Sequence, residues 1–257
     1  MMVWKAFGIA VAAACAAWLA CSPVSAEASV VIGATRVIYN AGEPEVTLKL
    51  SNEGRSPALA QSWVDAGDAH GAPSNISVPF TVTPPISRID PSRSQTLRIV
   101  YTGEPLPKDR ESVFWLDVLE VPPKPGADGG DANHLQLAFR SRIKLFFRPD
   151  HLQGTPEAAP AQLTWRVTRT GQQSAIEVRN PTAFHVSMTE ISVHAAGKTA
   201  IFDDGGMVGP GETATFPLKG EVADAPDAKV QYLWLNDYGG SVSGEATLGS
   251  ATASASK

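Results

Sequence analysis

Cysteine is almost missing from this chain of 257 residues: there are two, Cys15 and Cys21, both close to the start. Once the segment that holds them is removed, no disulfide can form within the rest, and packed cores must supply the stability. Charged residues are sparse at 18%, aromatics make up 7%, and the net charge is −5. A mildly acidic chain without a basic tail argues against nucleic acid as a partner. Beyond residue 26 no apolar run approaches the roughly 20 residues that span a bilayer, and no stretch has strong helical periodicity. Catalytic constellations are missing too. His70, His134, His151, His185 and His194 show no metal-ligand spacing and read as exposed or loop histidines. There is no Gly-x-Ser-x-Gly elbow and no phosphate-cradling loop; Gly209-Pro210-Gly211 is a turn. The acidic run around Asp128 and Asp131 lacks the ligand register of a calcium loop. Neither an enzyme nor a cofactor is expected.

What is present begins with an export signal. Lys5 precedes an apolar, alanine-rich run from Ala6 to Ala20, followed by Val24-Ser25-Ala26. A charged start, a hydrophobic segment and a small-x-small step predict a cleavable signal peptide over residues 1–26. The apolar run is too short for a retained anchor. A lipoprotein signal is disfavoured because Trp18 stands where Leu is usual.

The remainder reads as short, alternating strands punctuated by turns. Val46–Leu50, Gln95–Val100, Ser112–Val118 and Ile176–Val178 are separated by Asn40-Ala41-Gly42, Ser51–Gly54, Asp90-Pro91 and Asn180-Pro181. Evenly spaced short strands with such turn signals predict an all-β sandwich architecture. A break at Arg148-Pro149-Asp150 divides the chain into domains at 27–149 and 150–248, with a frayed tail at 249–257. Each half carries tryptophans to seed its own core, Trp63 and Trp115 in the first and Trp165 and Trp234 in the second. Asn75-Ile76-Ser77 matches a glycosylation sequon, a pattern shared with many unmodified loops.

The most informative stretch is LQLAFRSRIKLFFR, residues 135–148. Leu135, Leu137, Phe139, Ile143, Leu145 and Phe147 fall on one face, broken only by Ser141. Gln136, Arg140, Arg142, Lys144 and Arg148 dominate the other. A strand over the whole stretch would run roughly 46 Å, far longer than usual, and would overrun its own sheet. Its first apolar residues are then free to serve something other than this chain's core.

Several motifs in order carry a family resemblance. Ser141-Arg-Ile-Lys144-Leu-Phe-Phe-Arg148-Pro149 resembles the signature strand of the periplasmic pilus (fimbrial) assembly chaperones, the PapD-like family. Leu106–Asp117 followed by Val121-Pro122-Pro123 is similar to their second hallmark. Thr35-Arg36-Val-Ile-Tyr39, Thr83-Pro84-Pro85, Arg88–Pro91, Asn180-Pro181-Thr182 and Asn236-Asp237-Tyr238-Gly239 complete the set. One departure is Asp117, where the hallmark usually has Asn. The moderate loop Lys124–His134 and the missing cysteine pair are similar to the short-loop branch that builds rod-like pili.

The resemblance implies two immunoglobulin-like β-sandwich domains in an L-shaped arrangement with a cleft between them. It implies a protein that binds, folds and caps pilus subunits by donor-strand complementation and delivers them to an outer-membrane usher. Leu135, Leu137 and Phe139 match the donor residues lent to the subunit's open groove. Burying each contributes roughly 1.5–3 kcal/mol before ordering costs. Arg36 and Lys144 match the two cations that hold the subunit's C-terminal carboxylate. Glu111, Arg148 and Asp237 match charges that link the two domains. Thr83-Pro84-Pro85 matches a turn with a cis proline, and whether Pro85 is the cis residue stays open. Self-association through two exposed donor strands also stays open. From the residues alone, a secreted β-sandwich adhesin or carbohydrate-binding module is the competing reading, and an exported hydrolase is disfavoured by the missing catalytic spacing.

Overall fold

The computed structural model describes residues 29–71, 73, 76–121, 137–171, 173–222 and 228–248. The expected signal peptide, Leu135, Asn75 of the sequon, the Lys124–His134 loop and the tail lie outside the described residues.

Alternating apolar side chains fold the first half into two facing sheets. One contains β1 (Val30–Ile32), β3 (Val46–Asn52), β7 (Ser94–Tyr101) and β5 (Phe80–Thr83), in that spatial order. The other contains β2 (Arg36–Asn40), β9 (Phe139–Arg148), β8 (Ser112–Val121), β4 (Ala58–Asp65) and β6 (Ile86–Ile89). Between them Leu48, Leu50, Leu97, Ile99, Leu116 and Leu145 form a dry core, closed at one end by Tyr39, Phe80, Tyr101, Phe114 and Phe147. The β2–β9 pair is parallel, whereas every other pair of this half is antiparallel.

The second half repeats the plan. A sheet of β10 (Thr164–Thr170), β11 (Gln173–Arg179) and β15 (Thr213–Pro217) faces one of β13 (Lys198–Phe202), β12 (Val186–Ala195), β16 (Lys229–Leu235) and β17 (Ser241–Thr247), with β14 (Gly206–Val208) beside β12. Trp165 packs on Tyr232 and Phe202 on Phe216 within its core. Among the described residues no sheet mixes strands from the two halves. The chain is thus two immunoglobulin-like sandwiches.

A buried asparagine serves each sandwich. Asn52 Nδ2 donates to the carbonyls of Ser56 and Ile89, and Asn180 Nδ2 to those of Phe184 and Val208. Their Oδ1 atoms accept from Gly54 N and Thr182 N, so the turn that begins at each Asn is tied to the next strand.

Two expectations need correcting, and one open point is answered. Within the described residues the long strand begins at Phe139, leaving Leu137 and Ala138 outside it; its last pair with β8 is Phe139–Glu120. Trp63 and Trp115 do not seed the first core; both lie half-buried on the outer face of the five-stranded sheet, since Ala60, Val64, Leu116 and Val118 take the inner positions. The cis peptide bond of the Thr83-Pro84-Pro85 step precedes Pro84, not Pro85.

Candidate functional site

Strand alternation and a change of partner build the site on the outer face of the five-stranded sheet. β2 pairs with β9 only from Arg36–Lys144 to Asn40–Arg148. On its other side β9 is paired with β8 from Phe139 through Phe147. Among the described residues, 139–143 therefore have one edge bonded and one edge without a strand. Unpaired N–H and C=O groups along such an edge are a template for another strand. Of the side chains on the inner face of this segment, Ile143 packs on the core, while Phe139 stands apart from it and is half-buried. Leu137, just before the strand, is 46% exposed.

Arg36 and Lys144 are direct neighbours in the parallel register, at the point where the cover from β2 begins. Arg36 Nη1 donates to the Leu235 carbonyl at 3.0 Å, and the guanidinium lies over Phe146 at 5.9 Å. Its Nε is buried and has no acceptor among the described residues. Lys144 Nζ donates to Ser187 Oγ at 3.2 Å and sits 5.6 Å from the Trp115 ring. Burial lowers the Arg36 guanidinium against the pull of Asp237 and Glu111. Burial, and then the Arg36 charge, brings the Lys144 amine down to about 8. Two desolvated cations side by side, each short of a counter-charge, make a site for an anion with two acceptor atoms.

The two sandwiches meet through a buried ion cluster at the end of β9. Arg148 Nε donates to Glu111 Oε1 at 2.7 Å, and its Nη1 and Nη2 to Asp237 Oδ2 and Oδ1 at 2.7 and 3.1 Å. Burial works against this guanidinium, yet Asp237 and Glu111 outweigh it and hold its pKa above the ordinary value. Glu111 Oε2 accepts from the His185 backbone N–H at 2.8 Å, and its own N–H donates to the Ala183 carbonyl at 2.9 Å. Arg148 is the centre of a fork between a carboxylate of the first sandwich and one of the second. The turn Asn236–Gly240 reinforces the junction. Asn236 Oδ1 accepts from Tyr238 N and Gly240 N, and Gly239 takes φ 81° against Thr35 of the first sandwich. A Cβ at Gly239 would collide with Thr35 Oγ1, so both conformation and approach require glycine.

Sequence reasoning missed Phe146 and His185. Phe146 is buried on the cationic side of β9 with its ring centroid 5.4 Å from that of His185. His185 is in a loop as expected, but its side chain is only 7% exposed and contacts Glu111. The two phenylalanines in Leu145-Phe146-Phe147-Arg148, one on each face, were the available signal that both faces of β9 become covered at this end.

Comparison with known proteins gives a consistent picture. Residues 29–153 match the family model "Pili and flagellar-assembly chaperone, PapD N-terminal domain", and residues 158–246 match "Pili assembly chaperone PapD, C-terminal domain". The chaperone protein FimB/FhaD of Bordetella pertussis is 47% identical over 236 residues, covering 90% of this chain and 93% of that protein. The probable fimbrial chaperone YadV of Escherichia coli K12 is 46% identical over 226 residues, covering 87% and 92%. The crystal structure of the YadV chaperone superposes with a TM-score of 0.74 at 43% identity, over 86% of this chain and 100% of that one. A structure of the Salmonella enterica SafA pilin in complex with the SafB chaperone gives a TM-score of 0.71 at 34% identity, over 88% and 99%.

Proposed function

Because the chain belongs to the PapD family of pilus-assembly chaperones, we propose that it binds, folds and caps pilus subunits by donor-strand complementation and delivers them to an outer-membrane usher. Family members are assembly chaperones, not enzymes. We assign residues 27–149 to the domain that grips the subunit and 150–248 to the second domain, with residues 1–26 removed on export to the periplasm. Phe139 and Leu137, with Leu135 before them, are the side chains lent to the subunit's groove. Arg36 and Lys144 hold its C-terminal carboxylate. Glu111, Arg148 and Asp237 fix the angle at which the two domains meet.

The observation that carries this reading is the open edge at residues 139–143, which ends where Arg36 and Lys144 stand together. A chain end gripped there would run its last strand along the open edge of β9, with main-chain hydrogen bonds giving affinity and alternate side chains giving specificity. Periplasmic co-expression with candidate pilus subunits and pull-down through a C-terminal tag tests it. The wild type should bring down a subunit, whereas Arg36→Ala and Lys144→Ala, folded by circular dichroism, should not. Equal recovery with either variant would remove the assignment.

A further inference from the structure

Beside the open segment of β9, two acidic side chains are sunk into the outer face of the same sheet. Asp65 ends β4 and Asp117 lies within β8. The register pairs Trp63 with Asp117 and Asp65 with Trp115, which makes the two acids diagonal neighbours on one face. Both are almost wholly shielded from solvent, Asp65 at 1% and Asp117 at 0% exposure.

Their counter-charges come from β9. Arg140 Nε donates to Asp117 Oδ1 at 2.8 Å, and its Nη2 is 3.7 Å from Asp65. Arg142 Nη2 donates to Asp65 Oδ1 at 2.5 Å, and its Nε is 3.6 Å from Asp117. The guanidinium groups also lie over Trp63 and Trp115, at 4.9 and 4.4 Å from the ring centroids. Gly67 N donates to Asp65 as well. Every one of these donors goes to Asp65 or to Oδ1 of Asp117. Asp117 Oδ2 is buried and has no donor among the described residues. A proton shared between the two carboxyl groups would satisfy it and relieve the repulsion of two neighbouring acids.

We propose that Asp117 and Asp65 are positioning residues for the open segment of β9: acting through Arg140 and Arg142, they set how firmly residues 139–143 are held before a subunit arrives, and one proton on the pair tightens that hold. The functional meaning rests on reading this segment as the donor strand. An edge already ordered in its bound shape loses less entropy on pairing.

The electrostatics agree with the geometry. Burial pushes the Asp117 carboxyl up to about 6, with Arg140 opposing and Asp65 adding to the rise. Burial works against Asp65 too, but hydrogen bonds from the Asp117 carboxyl, Arg142 and Gly67 hold it below the ordinary carboxylate value. The other charged groups nearby are Asp68, which faces Arg140, and His70, exposed in the loop whose Ala69 carbonyl accepts from Arg140 Nη1 at 2.6 Å. Lys144 over Trp115 is the next cation along β9, and on β6 Arg88 pairs outward with Asp90. An acid whose folded value is raised contributes stability that is complete below its ordinary value and lost as pH rises through the folded one. The segment is therefore held most firmly in acid and slackens as pH climbs from the ordinary carboxylate value to about 6, with little left to lose above it.

Hydrogen–deuterium exchange on the free, signal-less chain tests this without a client. Between pH 5 and pH 7.5, after correction for intrinsic exchange, protection of the bonded amides at 139–143 should fall about tenfold in the wild type. Asp117→Asn cannot titrate yet still donates to Asp65, so its protection should stay flat at the wild-type pH 5 level. If Asp117→Asn fails to fold, Asp65→Asn takes its place: it removes the acid that adds to the rise of Asp117, so the fall in protection should shrink. Wild-type protection that ignores pH, or an equal slope in the folded variant, would overturn the proposal. Because no subunit enters the measurement, that failure would leave the subunit-capture reading standing, and a failed pull-down would leave this result standing.

Discussion

Arg36 and Lys144 stand opposite one another on parallel strands, and each spends its hydrogen bond on a neutral group of the second sandwich, the Leu235 carbonyl and the Ser187 hydroxyl. Two cations are thereby drawn out of water with no carboxylate in hydrogen-bond contact among the described residues. Such an arrangement destabilises the empty protein and is relieved when an anion arrives, a common trade at binding sites.

Lys144 makes that trade measurable. Its amine is depressed to about 8 by burial and then by Arg36. For a lowered amine, stability is complete above the ordinary lysine value and is lost as pH falls through the folded one. Lys144→Met should therefore stabilise the empty chaperone at pH 7, by about 1 kcal/mol after discounting for partial exposure. Urea unfolding at pH 7 and pH 9.5 should show this gain shrinking at the higher pH. Subunit recovery by the wild type should decline over the same rise, because the neutral amine no longer offers charge to a carboxylate. A pH-independent recovery would argue that Lys144 does not act as a cation.

Removing Arg148 leaves the buried Glu111 carboxylate with only the backbone N–H and ring of His185 beside it among the described residues. Breaking a buried pair from one side costs about 3–5 kcal/mol. Arg148→Ala should lower the melting temperature and change the angle between the two sandwiches. Small-angle scattering would show a broader distance distribution. An unchanged curve would mean that Arg148 does not hold the junction.

Phe139 and Leu145 share one face of one strand but should respond in opposite ways. Leu145 is at 0% exposure in the first core, and truncation to Ala should cost about 2–5 kcal/mol of folding stability. Phe139 stands outside that core, and Phe139→Asp should change folding stability by less than about 1 kcal/mol. The same change should abolish subunit recovery. Loss of folding stability equal to that of Leu145→Ala would place Phe139 in the chaperone's own interior.

Glu120 has a structural task at the far end of β8. Its carboxylate accepts from Ser29 N at 2.8 Å and Val30 N at 2.9 Å, and also from Ser29 Oγ, which fastens β1 to the opposite sheet. Hydrogen bonds to charged groups are each worth roughly 1.5–3 kcal/mol. Glu120→Ala should free the first strand, seen as faster proteolysis at the N-terminus and a lower melting temperature, with subunit capture retained. If the N-terminus stays equally protected, the tether carries no weight.

Strand alternation made β9 and its two faces legible, because a period of two follows directly from backbone geometry. The starting point of the strand was not legible, since pairing with β8 runs only to the Phe139–Glu120 pair, a long-range contact that the pattern of residues 135–148 does not record. The sequence could not place Trp63 and Trp115, because β4 and β8 carry apolar residues on both faces and only packing decides which face is inner. Phe146 was hidden for a similar reason: its cover comes from His185, a contact between sandwiches that local periodicity does not record. The Asp65–Arg142 pair spans 77 positions, and each residue alone looks like an ordinary surface charge.

The short reach of β2 along β9 has a last consequence. From Lys144 back to Phe139 the strand runs five residues, roughly 16 Å at about 3.3 Å per residue. If Arg36 and Lys144 hold a client's chain end, as proposed, that client would have to present its hydrophobic pocket at that distance. A final strand one residue longer or shorter would be out of phase, with every side chain turned to the wrong side. On the proposed reading β9 would act as a yardstick, grading clients by length before it grades them by fit.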